Sequence, residues 1–160
     1  MKRFLIVFVI AILPSACGSQ GSGPEAGGPD LSFTGVDGST VRLSDFRDQV
    51  ILVEFWVTWC GSCRMMVPVL SRLHGEYSKK GLVILGVSLD DEGLEVLKPF
   101  VMEFDIPYRV LLGDQGTLGA LGEVTGFPTL FVIDREGRLA RKLKGFHSFE
   151  ELEEQVKRYL

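Results

Sequence analysis

Val50-Ile51-Leu52-Val53-Glu54-Phe55-Trp56-Val57-Thr58-Trp59-Cys60-Gly61-Ser62-Cys63 is the stretch that decides how this chain is read. Its first eight residues are apolar except for Glu54, as in a central strand buried on both faces. Two cysteines then stand three residues apart. A helical pattern opens at once and runs from Ser62 to about Lys80, with Met65, Met66, Val69, Leu70 and Leu73 on its inner side. Pro68 falls inside this helix and is expected to kink it. A strand ending in Cys-x-x-Cys at the start of a helix is a redox arrangement. The helix N-terminus offers Cys60 free backbone N–H groups and partial positive charge, which favour a thiolate. Cys63 lies one turn along, within reach to close a small disulfide ring. So short a loop adds little chain-entropy stabilisation, which favours a working dithiol over a structural bridge.

The segments on either side read as alternating strands and helices. Leu31-Ser32-Phe33 and Thr40-Val41-Arg42-Leu43 flank Asp37-Gly38, a hairpin signal, and Ser44-Asp45-Phe46 reads as a helical turn. Leu82 to Ser88 reads as a second buried strand. Leu94, Leu97, Val101 and Phe104 have helical spacing, with Pro99 bending that helix, and Tyr108 to Leu112 reads as a short strand. Thr117 to Glu123 is expected to form one or two helical turns. Thr129–Ile133 and Leu139–Leu143 flank Asp134-Arg135-Glu136-Gly137 as a second hairpin. Ser148 with Glu151 forms a capping box for a last helix buried through Leu152, Val156, Tyr159 and Leu160. The order is hairpin, β-α-β-α, then β-β-α. This is an α/β protein with a mixed central sheet flanked by helices.

The N-terminus reads as a targeting segment over residues 1–16. Lys2 and Arg3 precede the ten apolar residues Phe4 to Leu13, a helix of about 15 Å at most, half of a bilayer core. Pro14-Ser15-Ala16-Cys17 resembles a bacterial lipobox, which would make Cys17 a lipidated first residue, although Leu13 stands one place early for that pattern. The chain has three cysteines; with Cys17 lipidated, Cys60 and Cys63 are the remaining pair. Residues 17–29 form a Gly/Ser/Pro-rich linker whose twelve residues after Cys17 span roughly 19 Å, and 30–160 form the folded domain. The net charge is −4, from 17 Lys and Arg against 21 Asp and Glu; losing Lys2 and Arg3 leaves 15 against 21, or −6. With no basic cluster in the mature chain, nucleic-acid binding is excluded as a working reading.

This element order with a dithiol after the long strand resembles the thioredoxin fold with an N-terminal β-hairpin extension. It is most similar to the membrane-tethered TlpA/ResA-like branch, which is related to the redoxin (AhpC/TSA) proteins. The resemblance rests on the hairpin and leading strand up to Cys60, on Pro68, and on Gly126-Phe127-Pro128-Thr129. It implies a protein thiol–disulfide oxidoreductase outside the cytoplasm, facing the periplasm if the host is Gram-negative. It would act as a monomer without a cofactor, and a DsbD/CcdA-like membrane dithiol donor would supply its electrons. Cys60 would be the nucleophile that forms a mixed disulfide with a protein substrate, and Cys63 the resolving thiol. Glu54 occupies the position of thioredoxin's buried acid; desolvation would raise its pKa and suit it to relay a proton for Cys63. Pro128 would follow a cis peptide bond and leave the Phe127 backbone open to an extended substrate, with Trp59 completing the docking surface.

Trp56 reads as core, His74 and His147 as surface residues, and Met65 and Met66 as helix packing. The branch also implies a role in cytochrome c maturation. Against it, Met66 stands where those reductases commonly have Glu, and Ser62 where many thioredoxin-like reductases have Pro. Two other functions compete. A thiol peroxidase would want Pro-x-x-x-Thr-x-x-Cys, whereas Val53 lies seven residues before Cys60. A copper or zinc chaperone would need more than two thiolates, and His147 lies beyond the next strand. No metal site is expected.

Overall fold

The computed structural model describes residues 30–160, so the leader, Cys17 and the linker lie outside the described residues. The apolar runs become strands of one sheet, in chain order β1 (Ser32–Gly35), β2 (Thr40–Arg42), β3 (Val50–Trp56), β4 (Leu82–Ser88), β5 (Arg109–Leu112), β6 (Thr129–Ile133) and β7 (Leu139–Lys144). Helices α1 (Gly61–Tyr77), α2 (Leu94–Glu103), α3 (Gln115–Leu118) and α4 (Phe149–Lys157) fall between and after them. The spatial order is β2-β1-β5-β4-β3-β6-β7. The β3–β4 and β4–β5 pairs are parallel, as connections through α1 and α2 require, and the other pairs are antiparallel. This is the α/β architecture that the element order implied, with the hairpin β1–β2 added at one edge through β5.

β3 is buried at all seven positions. Its side chains alternate between two cores because successive residues of a strand face opposite sides. Val50, Leu52 and Trp56 join the cluster to which α1, α2 and α4 contribute Leu70, Leu97 and Leu152. Ile51, Val53 and Phe55 pack with Phe33, Phe46, Leu121 and Phe131. Phe55 and Phe131 meet edge to face at 5.8 Å. Glu54 shares the parity of Leu52 and Trp56, so it faces the side that α1 covers.

Two local expectations need correction. On α1 the buried positions are Cys63, Met66, Val67, Leu70, Leu73 and Tyr77, while Met65 is 56% exposed. The 3.6-residue repeat explains this: once Cys63 and Met66 point inward, Met65 is turned about 100° away from Met66. The short helix near Thr117 begins at Gln115 and ends at Leu118. Asp114 caps it, accepting the Thr117 N–H at 2.9 Å, and Gly119 closes it, so Glu123 lies outside. The capping box of α4 forms as expected: Glu151 accepts the Ser148 N–H at 2.8 Å, and the Ser148 hydroxyl accepts the Glu151 N–H at 3.3 Å.

This phase of α1 makes a paired prediction. Leu70→Ala should cost about 2–5 kcal/mol of stability, and Met65→Ala should stay within about 0.5 kcal/mol of the parent, read from urea unfolding.

Candidate active site

β3 ends at Trp56, and after three intervening residues Cys60 takes the N-cap of α1 in extended conformation (φ −82°, ψ 113°). The first N–H groups of a helix have no partner within it. Here the Cys60 sulfur accepts the Cys63 N–H at 3.3 Å, the place usually taken by a capping oxygen. The Ser62 hydroxyl lies 3.2 Å from the same sulfur. Cys60 and Cys63 form a disulfide with Cα atoms 5.2 Å apart. The two sulfurs differ in access: Cys63 is 1% exposed, whereas Cys60 is partly open and Trp59 beside it is 71% exposed. In such a pair the accessible, helix-capping sulfur is the one a partner can reach.

The antiparallel register of β3 and β6 sets Phe55 opposite Thr129, so Pro128 arrives at the end of β3 from which Cys60 emerges. The Phe127–Pro128 peptide bond is cis. The Thr129 hydroxyl donates to the Gly126 carbonyl at 2.7 Å, and the Gly145 N–H donates to the Pro128 carbonyl at 2.8 Å, which fixes the loop from both sides. Two lysines of β7 hold the preceding segment: Lys144 donates to the Thr125 hydroxyl at 3.1 Å, and Lys142 donates to the Glu123 carbonyl. Phe127 is half-buried and packs against both cores.

Glu54 is 2% exposed, and its Oε1 has no hydrogen-bond partner. Its neighbours in register are Gly86 on β4 and Leu130 on β6, neither of which offers a side-chain donor. Desolvation alone pushes its carboxyl up from 4.5 to about 8. The Trp56 indole N–H, two residues along on the same face, is also buried without a partner. Burial, and secondarily the Glu54 charge, raise the Tyr108 phenol well above its ordinary range.

Sequence reading missed two features. Asp90, just beyond β4, accepts hydrogen bonds from Thr58, two residues before Cys60; the contact spans 32 residues and no local motif signals it. His74 and His147 are half-buried rather than surface residues, and each has one buried ring nitrogen without a partner. His147 donates its backbone N–H to the Met66 sulfur at 3.5 Å, which ties the start of α4 to α1. Among the described residues no three His, Cys, Asp or Glu side chains converge as metal ligands.

A family model described as AhpC/TSA matches residues 25–142. The chain belongs to the AhpC/TSA family. The thiol-disulfide oxidoreductase ResA of Bacillus thuringiensis subsp. konkukian is 30% identical, over 99% of this chain and 98% of that protein. Among solved structures, a thiol:disulfide interchange protein of the thioredoxin family from Chlorobium tepidum superposes with a TM-score of 0.77 at 25% identity, covering 86% of this chain and 97% of that one. The exposed lipoprotein thioredoxin Etrx1 of Streptococcus pneumoniae gives 0.72 at 28%, covering 81% and 99%. The fold is the thioredoxin fold, and this AhpC/TSA member is a thiol–disulfide oxidoreductase with its cysteine pair at Cys60 and Cys63.

The raised Glu54 carboxyl predicts a pH dependence of stability. Below about pH 4.5 the group is protonated in both folded and unfolded chains and contributes no difference. Between 4.5 and about 8 the unfolded chain ionises while the folded one holds its proton, so stability falls with rising pH and levels off above 8. Glu54→Gln should remove this decline, so the variant gains on the parent as pH rises, measured by denaturant unfolding from pH 4.5 to 9. Parallel curves for the two proteins would contradict a buried, proton-holding Glu54.

Proposed function

We propose that this oxidoreductase reduces protein disulfides outside the cytoplasm, tethered to a membrane by a lipid on Cys17. The observation that carries the reading is the asymmetry of the pair: a capped, reachable Cys60 beside a buried Cys63. The Cys60 thiolate attacks one sulfur of a substrate disulfide. The Cys60–substrate bond forms, the substrate S–S bond breaks, and the departing thiolate takes a proton. The ionised form of Glu54, the minor one below about pH 8, lies on the face that α1 covers and accepts the Cys63 proton. The Cys63 thiolate then attacks Cys60, releases the second substrate thiol and leaves the Cys60–Cys63 disulfide. Two electrons have passed to the substrate, and a DsbD/CcdA-like membrane dithiol restores the pair.

The surface around Cys60 supports a protein substrate. Trp59 projects into solvent, and the backbone N–H and C=O of Phe127 make no hydrogen bond to another backbone group among the described residues. An extended substrate strand can pair there while its side chains rest on Trp59, Phe127 and Pro128. The placement outside the cytoplasm rests on the leader and lipobox-like residues before Cys17 and on the similarity to an exposed lipoprotein. No helix among the described residues is long and apolar enough to cross a membrane. The proposal stops short of cytochrome c maturation. Met66 stands where a carboxylate would be wanted, and its sulfur is buried and occupied by the His147 N–H.

Two outcomes test this. Cys60→Ser should abolish disulfide exchange, while Cys63→Ser expressed in the native host should accumulate mixed disulfides on Cys60, identified by mass spectrometry. Absence of any trapped protein, with exchange surviving in Cys60→Ser, would remove the mechanism. Cys17→Ala should move the protein from the membrane fraction to the soluble one; unchanged fractionation would remove the lipid tether.

A further inference from the structure

Asp90 is a carboxylate in a place where carboxylates are costly. It is 5% exposed and forms no ion pair among the described residues. It is stabilised instead by hydrogen bonds from two residues. The Thr58 N–H lies 3.1 Å and 3.0 Å from its two oxygens, the Thr58 hydroxyl donates at 2.7 Å, and the Ser88 hydroxyl donates at 2.7 Å. The Ser88 hydroxyl in turn accepts the Asp90 N–H at 3.1 Å.

The register explains why these groups meet. The parallel β3–β4 ladder pairs Trp56 with Ser88, and the Leu89 N–H still reaches the Trp56 carbonyl at 3.0 Å. One step further the backbones separate, and the Asp90 side chain takes over as Thr58's partner. The remaining polar group of Thr58 is also engaged: its carbonyl accepts from Arg64 Nε at 2.8 Å. Arg64 is in the first turn of α1, and its guanidinium lies over the rings of Phe100 and Phe104 at 5.6 and 6.0 Å. Those rings stack on each other, and Phe100 rests 5.0 Å from Trp56.

Thr58 is thus held from β4 by Asp90 and from α1 by Arg64, and only Trp59 separates it from Cys60. We propose that Asp90, through Thr58, is a positioning residue for the redox pair: it holds the β3–α1 loop so that the Cys60 sulfur stays on the Cys63 N–H after the disulfide opens. The proposal rests on the reading of Cys60 as the attacking thiol. In the disulfide the S–S bond itself restrains the two residues. In the dithiol that restraint is gone, and the clamp keeps the cap formed. A fixed cap stabilises the Cys60 thiolate and so favours the reduced pair.

The test uses the protein's own thiols rather than a protein substrate. Reduced wild type, Thr58→Val, Thr58→Ser and Asp90→Asn are alkylated with iodoacetamide at neutral pH, and the modified cysteine is identified by peptide mass. Each variant is also equilibrated with glutathione and melted thermally. Thr58→Val should slow Cys60 alkylation about threefold and Asp90→Asn about tenfold, and both should move the glutathione equilibrium toward the disulfide. Thr58→Ser, which retains the hydroxyl, should restore wild-type behaviour. A stabilising role alone would lower the melting temperature and leave alkylation and the equilibrium unmoved, which would overturn the proposal. Faster alkylation in Asp90→Asn would overturn it too, because Asp90 would then act only as a like charge near the thiolate. If Asp90→Asn does not fold, the isosteric Thr58→Val decides. If alkylation falls on Cys63 instead of Cys60, the reading of the nucleophile fails, and the glutathione equilibrium still judges the clamp.

Discussion

One hydrogen bond, from the Cys63 N–H to the Cys60 sulfur, joins the chemistry of this protein to its fold. A helix must satisfy its first N–H groups from outside its own ladder. Using a sulfur for this ties the sulfur's reactivity to the place where the helix begins. α1 begins at Gly61 because β3 ends at Trp56 and a short loop delivers Cys60 in extended conformation. α1 stays there because Met66, Leu70 and Leu73 are fully buried on its inner face and α4 packs alongside through Leu152 and Val156. A shift of α1 along the sheet would disturb the core and the cap together.

The same dependence explains how the partner loop is held. The Phe127–Pro128 segment enters β6 antiparallel to β3, so its position is counted from the strand that counts out Cys60. Gly145 at the end of β7 and the lysines of that strand fix the loop from its other side. β7 is an edge strand whose exposed lysines also discourage pairing with another chain. The two sides of the site therefore take their separation from one stretch of sheet, and no contact between the loops themselves is needed to set it.

Local and periodic features of this fold were legible in the sequence. The dithiol, the two hairpins, the limits of β4 and the Ser148–Glu151 cap each depend on neighbours a few residues away. Glu54 and Trp59 stood out from their own sequence surroundings, an acid among apolar strand residues and an aromatic next to Cys60, whereas Phe127 and Pro128 came from the resemblance; β6 brings Pro128 to the end of β3 from which Cys60 emerges. What was not legible depends on phase or on distance. Met65 and Met66 are equally apolar, and only the inward turn of Cys63 decides which is buried. The start of α3 hinges on Asp114 capping Thr117, a pair that reads equally well as part of a loop. The half-buried state of His74 and His147 follows from how α1 and α4 are packed, and the bond between Asp90 and Thr58 follows from strand register. Neither leaves a mark on the residues nearby.

Two buried acids lie on or just beyond the β3–β4 strand pair and are treated in opposite ways. Glu54 is placed mid-strand with nothing to donate to Oε1, so its burial acts on the proton: the neutral form is favoured up to about pH 8. That is the condition the proposed relay requires, since a carboxylate already saturated with donors would hold its charge. Asp90 receives donors from two side chains and one backbone group, so its burial acts on geometry: moving it would strand a charge without partners. The side chains differ by one methylene group, and the difference in role comes from what surrounds them. Glu54 pairs in register with Gly86 and Leu130, which offer no side-chain donor, and Asp90 lies where a parallel ladder has just ended and its backbone groups are free to donate. A strand's middle can hide a labile proton, and its end can fasten a loop; this site uses both positions of one strand pair within a few residues of the dithiol.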